Sequence, residues 1–415
     1  MARARDVDFL LIGGGIAAAN CARTLREEGA AGSILLVGRE TDPPYHRPPA
    51  SKAYLRGTCT REEALVWAPA WWKENGVELL TRASVMALDL DARVARLQSK
   101  EEIRFGQALV ATGAMVRRLN VEGSDVDGIH YLRALANVDS LRRDLEGAER
   151  VVLVGGSYIG CEVAASLTEL GHACTIVMQE DVTLERGFGA RAGRFFQSAL
   201  EERGVEVVGG DEVERFAGDG ERVRGVVLKS GRELAADAVV AGVGAIPDVM
   251  LARRSGLELG ELGGVRTSAQ LESSAPGVYA AGDMCEYHSV VHDRAMRVEH
   301  EDVAFTQGAT AARNMLGRGV AHQEVPYFFS DLSDWASLEY VGPARAWDTE
   351  VMRGSLADGA FSLFYLEGGR VRAALSVGRG EDLVHARRLI ASGADLADRV
   401  PELAELGSDL ASLGT

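Results

Sequence analysis

Two stretches of the chain share one pattern. The apolar run Asp8-Phe-Leu-Leu-Ile12 meets Gly13-Gly-Gly15-Ile-Ala-Ala18 and passes into a helical pattern ending near Glu28. Arg150-Val-Val-Leu-Val154 meets Gly155-Gly-Ser-Tyr-Ile-Gly160 and passes into a helical pattern ending near Leu170. A further apolar run follows each, Ser33–Val37 and Ala173–Val177. Short unbroken apolar runs bounded by glycine suit strands buried on both faces. Each stretch therefore predicts a βαβ unit with its glycines at the strand-to-helix turn.

Between these units Val77–Leu90, Val94–Leu97 and Gln107–Ala111 predict strands, the last running into Thr112-Gly113. Beyond the second unit Val205–Val208, Val223–Leu228, Ala238–Ala241 and Val278–Ala281 do the same. Asp302–Leu316 is helical in pattern. The character changes at Pro326. Tyr327–Ser330, Ser337–Val341, Thr349–Arg353, Phe361–Leu366 and Val371–Val377 read as antiparallel strands, and Asp382–Ser392 as a helix with a second helical pattern after it.

The 415 residues are enough for two to four domains, and 47% apolar with 26% charged residues is ordinary for a globular chain. The net charge of −16 argues against nucleic acid and anionic membranes as partners. No apolar run reaches the length of a membrane span, and Met1–Asp6 lacks the apolar core of a leader. The cysteines, Cys21, Cys59, Cys161, Cys174 and Cys285, form no CxxC pair. That predicts a reducing cytoplasm, no metal site, and no paired-cysteine redox centre. Cys21 and Cys161 are expected as small core residues.

Gly13-x-Gly15-x-x-Ala18 after a strand is a dinucleotide fingerprint. Gly13 permits the turn, Gly15 lets backbone approach a pyrophosphate, Ala18 allows close helix packing, and the helix start offers free N–H groups. An acid about 20 residues further on takes the ribose hydroxyls. Glu40 stands there, with Arg39 directly before it as the competing side chain. In the second fingerprint, Gly155-x-Ser157-x-x-Gly160, Ser replaces the middle glycine. Glu180 holds the ribose position and favours NADH, because a carboxylate repels a 2′-phosphate. Arg186 nearby leaves NADPH open.

Two fingerprints imply two dinucleotides. Tyr45-His-Arg47-Pro-Pro-Ala-Ser51-Lys52, Ala111-Thr-Gly113, Gly156-Ser-Tyr-Ile-Gly160-Cys-Glu162, Ala280-Ala-Gly-Asp283 and Arg297-Val-Glu-His300 occur in this order. Together they resemble the FAD-dependent NADH:ferredoxin and rubredoxin reductases that serve oxygenases. Apoptosis-inducing factor is similar too. The resemblance implies an α/β fold with two Rossmann-like dinucleotide-binding domains, for FAD and NADH, plus a C-terminal α+β domain. The expected boundaries are 1–117 and 246–325 for FAD, 118–245 for NADH, and 326–415 for the C-terminal reductase domain.

Residue by residue, the resemblance implies Lys52 beside the flavin, paired with Glu162. The two can touch only where the FAD and NADH segments meet. A cation there stabilises electron density arriving on the flavin, and the carboxylate fixes the ammonium. Asp283 is expected on the ribityl chain, and Arg47 and Arg133 on FAD. Glu299, His300 and Glu301, at a helix start, are expected at the pyrimidine end, with His300 either stacking on the flavin or facing solvent. Val85, Ala111, Gly156, Ile159 and Gly244 fall at further cofactor-contacting positions. Many ferredoxin reductases carry a Trp or small apolar residue where Glu301 stands; here the sequence looks more like apoptosis-inducing factor. No cysteine lies in the Pro43–Lys52 loop, which disfavours cysteine-based peroxide or disulfide reduction. Of Phe328, Phe329 and Trp335, two are expected in an aromatic core.

The resemblance thus implies an FAD oxidoreductase that takes hydride from NADH. It passes electrons singly to an iron–sulfur carrier, a ferredoxin or rubredoxin, as a monomer or homodimer. An NADH-responsive flavoprotein with a signalling role, or a reductase of a small molecule such as a quinone, fits the same motifs. Iron–sulfur partners are usually acidic, so an acidic chain needs a local basic patch; Arg345, Arg379, Arg387 and Arg388 are the candidates.

Overall fold

Strand Arg5–Ile12 runs through the middle of a seven-stranded sheet, paired in parallel with Ile34–Val37 on one side and Glu102–Val110 on the other. The computed structural model describes residues 5–414, so the reading of Met1–Asp6 as free of a leader falls mostly outside the described residues. Within those residues the chain clusters into two compact units.

The first unit comprises the chain up to His46, Ala64–Met115 and Ile246–Phe328. The strand order of its main sheet is Val77–Leu80, Ile34–Val37, Arg5–Ile12, Glu102–Val110, Val94–Leu97, Val85–Asp89. Val278–Ala280 pairs in parallel with Glu102–Val110. The stretch expected as one strand, Val77–Leu90, is two. It breaks at the positive φ of Arg82, and the second half turns back in an antiparallel pair with Val94–Leu97.

Helix Ile16–Glu27 follows the central strand. It packs so closely on helix Glu301–Met315 that a Cβ on Gly308 would lie 2.2 Å from the Ala17 carbonyl oxygen. Asn20 Nδ2 also donates to the Phe305 carbonyl at 2.6 Å. The late helix is thereby fixed beside the first fingerprint, with Gln307 Oε1 accepting the Gly282 N–H at 2.8 Å.

The second unit comprises Arg47–Glu63, Val116–Ala245 and the chain from Phe329 onward. Arg47–Glu63 joins it although the chain on both sides belongs to the first unit. A five-stranded parallel sheet has the order Glu206–Val208, Ala173–Val177, Arg150–Val154, Ala238–Ala241, Ile129–His130. A separate five-stranded sheet follows from Tyr327, in the order Tyr327–Leu332, Ala336–Val341, Arg370–Val377, Ala360–Glu367, Thr349–Ser355. Helix Gly380–Ser392 follows the last of its strands in sequence.

Helix Glu185–Glu201 has no counterpart in the pattern reading. Its buried residues Phe188, Ala192, Phe196 and Leu200 recur every four positions, and Gly189 sits at φ 78 where the helix kinks. The expected second C-terminal helix shortens to Val400–Ala404 and a 3₁₀ turn, Leu410–Ser412. Among the described residues, no helix is long and apolar enough to cross a membrane.

Candidate active site

The two fingerprints fold alike. Gly13 has φ +130, and a Cβ there would lie 2.0 Å from the carbonyl oxygen of Ala111. Gly155 has φ +108, and a Cβ there would lie 2.4 Å from the carbonyl oxygen of Gly242. In each unit the first glycine lets the turn press on the end of the neighbouring strand, a conformation closed to other residues. Ala18 is fully buried, and Gly160 leaves no room for a methyl, its Cβ falling 1.9 Å from the Gly155 carbonyl oxygen. Gly156 is required by Met178, whose sulfur would lie 2.1 Å from a Cβ.

The helix starts are open. Gly15 caps helix Ile16–Glu27 with no side-chain hydrogen bond, and no atom lies within 4 Å of where its Cβ would be. Ser157 caps helix Tyr158–Glu169, but its hydroxyl donates to the Gly242 carbonyl at 3.3 Å instead of to the helix. Free backbone N–H groups at an approachable helix start fit a pyrophosphate. Ile159 lies exposed on the first turn of the second helix. Gly244, at φ +102, accepts the Arg117 N–H at 2.9 Å.

At the ribose positions the competing side chains are sorted. Arg39 Nη1 is bound to Asp248 Oδ2 at 2.9 Å, while Glu40 accepts the Tyr45 hydroxyl at 2.5 Å. Glu180 forms an ion pair with Arg186, which also donates to Gln179 Oε1 at 3.2 Å. Val85 is half-buried at the start of its strand.

Lys52 and Glu162 do touch, and both lie in the second unit. The Lys52 ammonium is 2.7 Å from Glu162 Oε1, with side-chain exposures of 12% and 6%. Ser51 donates to Glu162 Oε2 at 2.5 Å, and Ser330 to Oε1 at 2.6 Å. Sequence reasoning assigned neither serine. Ser51 was visible inside the Pro-Pro-Ala-Ser-Lys loop, whereas Ser330 carries no local signal. In the same unit Arg47 Nη1 donates to the Arg133 carbonyl at 2.6 Å, which brings these two together.

The Glu299–Glu301 segment lies in the first unit. His300 caps helix Glu301–Met315, and its ring packs on Phe328 at a centroid distance of 4.5 Å. Its Nδ1 is buried without a partner among the described residues. Burial pushes the imidazole down to about 4, against the opposing charge of Asp283, so the ring is neutral at physiological pH. His300 is half-buried as a residue, and its orphaned buried nitrogen fits a position beside a bound ring system. Asp283 follows Gly282, at φ +81, and its carbonyl accepts Arg297 Nη1 at 3.0 Å. Arg297 also binds Glu299 Oε1 at 2.5 Å. Glu301 binds His46 Nδ1 at 2.7 Å.

Some expectations fail. None of Phe328, Phe329 and Trp335 is a core residue. Phe329 is 48% exposed, and the other two are half-buried, because they lie near the edge of their sheet. Trp335 has the Arg203 guanidinium over its ring at 5.3 Å. Two of the arginines considered for a basic patch have partners in the fold. Arg379 binds Asp382 at 2.8 Å, and Arg388 donates to the Leu410 and Leu413 carbonyls at 2.9 and 2.7 Å. Cys21 and Cys161 are fully buried, and burial raises both thiols far above their ordinary range.

Comparison with known proteins places this geometry. Residues 7–308 match the family described as pyridine nucleotide-disulphide oxidoreductase, and residues 327–413 match the reductase C-terminal family. A probable ferredoxin reductase of Castellaniella defragrans is 34% identical, over 92% of this chain and 93% of its own. Putidaredoxin reductase of Pseudomonas putida is 32% identical, over 95% and 92%. The crystal structure of a ferredoxin reductase from Rhodopseudomonas palustris superposes with a TM-score of 0.92 at 31% identity, covering 98% of this chain and all of that one.

The His46–Glu301 contact sets a pH dependence. The hydrogen bond to Glu301, with its charge, raises the His46 imidazole above the ordinary 6.5 against the effect of burial. A raised folded value means the pairing stabilises fully below the unfolded pKa and is lost as pH rises through the folded one. An NMR titration is expected to place His46 above 6.5. Glu301→Gln should bring it down, and the stability difference between the two proteins should shrink as pH rises past the wild-type value.

Proposed function

Because the chain belongs to the pyridine nucleotide-disulphide oxidoreductase family, we propose that it takes hydride from NADH onto FAD. It then hands the electrons singly to a ferredoxin- or rubredoxin-type iron–sulfur carrier that serves an oxygenase. The observation that carries this reading is the pair of fingerprints, each with an approachable, uncapped helix start. The names of the relatives, ferredoxin and putidaredoxin reductases, support the carrier. So does a solved complex of putidaredoxin reductase with putidaredoxin, whose reductase is 31% identical with a TM-score of 0.92.

When bound, FAD would supply a centre able to take up a hydride's two electrons together and give them up singly. The residues of the chain do the rest by position and charge. The Gly13–Ala18 turn binds the FAD pyrophosphate through backbone N–H groups, and Glu40, held by Tyr45, takes the ribose. The Gly155–Gly160 turn does the same for NADH, with Glu180 at its ribose. Lys52 supplies a fixed positive charge at the electron-accepting edge, and Glu162 keeps that charge in place. Neutral His300 offers a flat face without a charge. The uncapped start of helix Glu301–Met315 turns its positive end toward the developing anion. Four of the five cysteines are buried, which keeps them out of the chemistry.

Reconstituted with FAD and mixed anaerobically with NADH and a [2Fe–2S] ferredoxin, the protein is expected to reduce about two carriers per NADH, since each carrier takes one electron. Oxidation of NADH without carrier reduction, or failure to hold FAD, would remove the reading.

Coenzyme choice follows from Glu180. NADH is expected to be preferred over NADPH by at least about tenfold in kcat/KM, roughly 1.4 kcal/mol. Glu180→Ala releases Arg186 from its ion pair and should narrow that gap. An unchanged ratio in the variant would show that another residue reads the ribose.

A further inference from the structure

The Glu162 carboxylate is held from two segments outside its own helix. Lys52 and Ser51 come from the loop after Arg47, and Glu162 lies on helix Tyr158–Glu169. Ser330 comes from strand Tyr327–Leu332. Burial strips the carboxylate of water, with Ser51, Ser330 and Glu162 all at 5% exposure or less. An ammonium alone cannot satisfy both oxygens of such a group. The hydroxyls complete the set, Ser51 on Oε2 at 2.5 Å and Ser330 on Oε1 at 2.6 Å.

The two serines are not equivalent. Ser51 is the sequence neighbour of Lys52 and moves with it. Its carbonyl is tied back to the helix by the Ser166 hydroxyl at 2.7 Å, so loop and helix already form one piece. Ser330 is the independent anchor. It donates to the same oxygen that Lys52 binds at 2.7 Å. That oxygen therefore cannot rotate away from the ammonium without breaking the Ser330 bond. The next residue along the strand, Phe329, places its ring 6.0 Å from the Lys52 ammonium, so the strand borders both partners.

We propose that Ser330 is a positioning residue for electron entry into the flavin: its hydroxyl locks Glu162 Oε1, which holds the Lys52 charge in one place. The proposal rests on the reading of Lys52 and Glu162 as flanking that flavin. Ser330 itself touches no reacting atom, and its effect passes entirely through the carboxylate.

The test uses the FAD-loaded protein and four variants: Ser330→Ala, Ser330→Thr, Glu162→Gln, and Ser330→Ala combined with Glu162→Gln. Stopped-flow reduction by NADH gives the rate and its concentration dependence, and dye equilibration gives the flavin midpoint potential. Loss of one charge-assisted hydrogen bond predicts roughly tenfold slower reduction in Ser330→Ala. The NADH dissociation constant should stay unchanged and the potential should become more negative. Ser330→Thr, which keeps the hydroxyl, should restore both. In the Glu162→Gln background, Ser330→Ala should add nothing. Wild-type rate and potential in Ser330→Ala, beside a slow Glu162→Gln, would overturn the positioning role and leave the ion-pair reading standing. An undiminished rate in Glu162→Gln would remove that reading and the proposal with it. Equal slowing by Ser330→Ala in both backgrounds would show that the serine acts by another route.

Discussion

A carboxylate and an ammonium that are both nearly dry must satisfy each other, and the second unit is organised around that requirement. Lys52 and Glu162 are 110 positions apart in sequence, yet their charged atoms lie 2.7 Å apart. Leaving either charge alone in such surroundings costs on the order of 3–5 kcal/mol, so the fold is held to an arrangement that keeps both. This is consistent with the short segment Arg47–Glu63 clustering with the second fingerprint and not with its own sequence neighbours. A site that needs a cation in a fixed place benefits from the same constraint.

The other organising feature is repetition of a turn. At Gly13 and at Gly155 the chain takes a positive φ and presses against a carbonyl at the end of the adjacent strand, Ala111 in one case and Gly242 in the other. The strand ends Ala111-Thr-Gly113 and Gly242-Val-Gly244 are thus the supports on which the two nucleotide-binding turns rest. Behind the first turn, Gly308 allows helix Glu301–Met315 to lie against Ala17, which places His300 at that helix start.

Both fingerprint units and the C-terminal run of strands were legible in the sequence, because each leaves a local mark, an apolar run ending in glycine or alternation; the Lys52–Glu162 contact was implied only by the family resemblance of the two motifs that carry them. What was hidden depends on tertiary structure. Ser330 looks like any strand serine until the fold brings its hydroxyl to Glu162. The ion pair of Arg39 joins it to Asp248, far along the chain. Phe329 is as apolar as a core residue and is nevertheless 48% exposed. The four arginines considered for a basic patch were chosen by charge alone; their partners, Asp382 for Arg379 and main-chain carbonyls for Arg388, appear only in the fold.

The central claim is that Lys52 and Glu162 act as one unit on electron entry. A double-mutant cycle on the rate of flavin reduction by NADH, with Lys52→Met, Glu162→Gln and the two combined, measures it most directly. The account predicts that each single variant slows reduction and that the double variant is little worse than the slower single. Additive losses would contradict the coupling, and unchanged rates in both single variants would place the pair outside the site altogether.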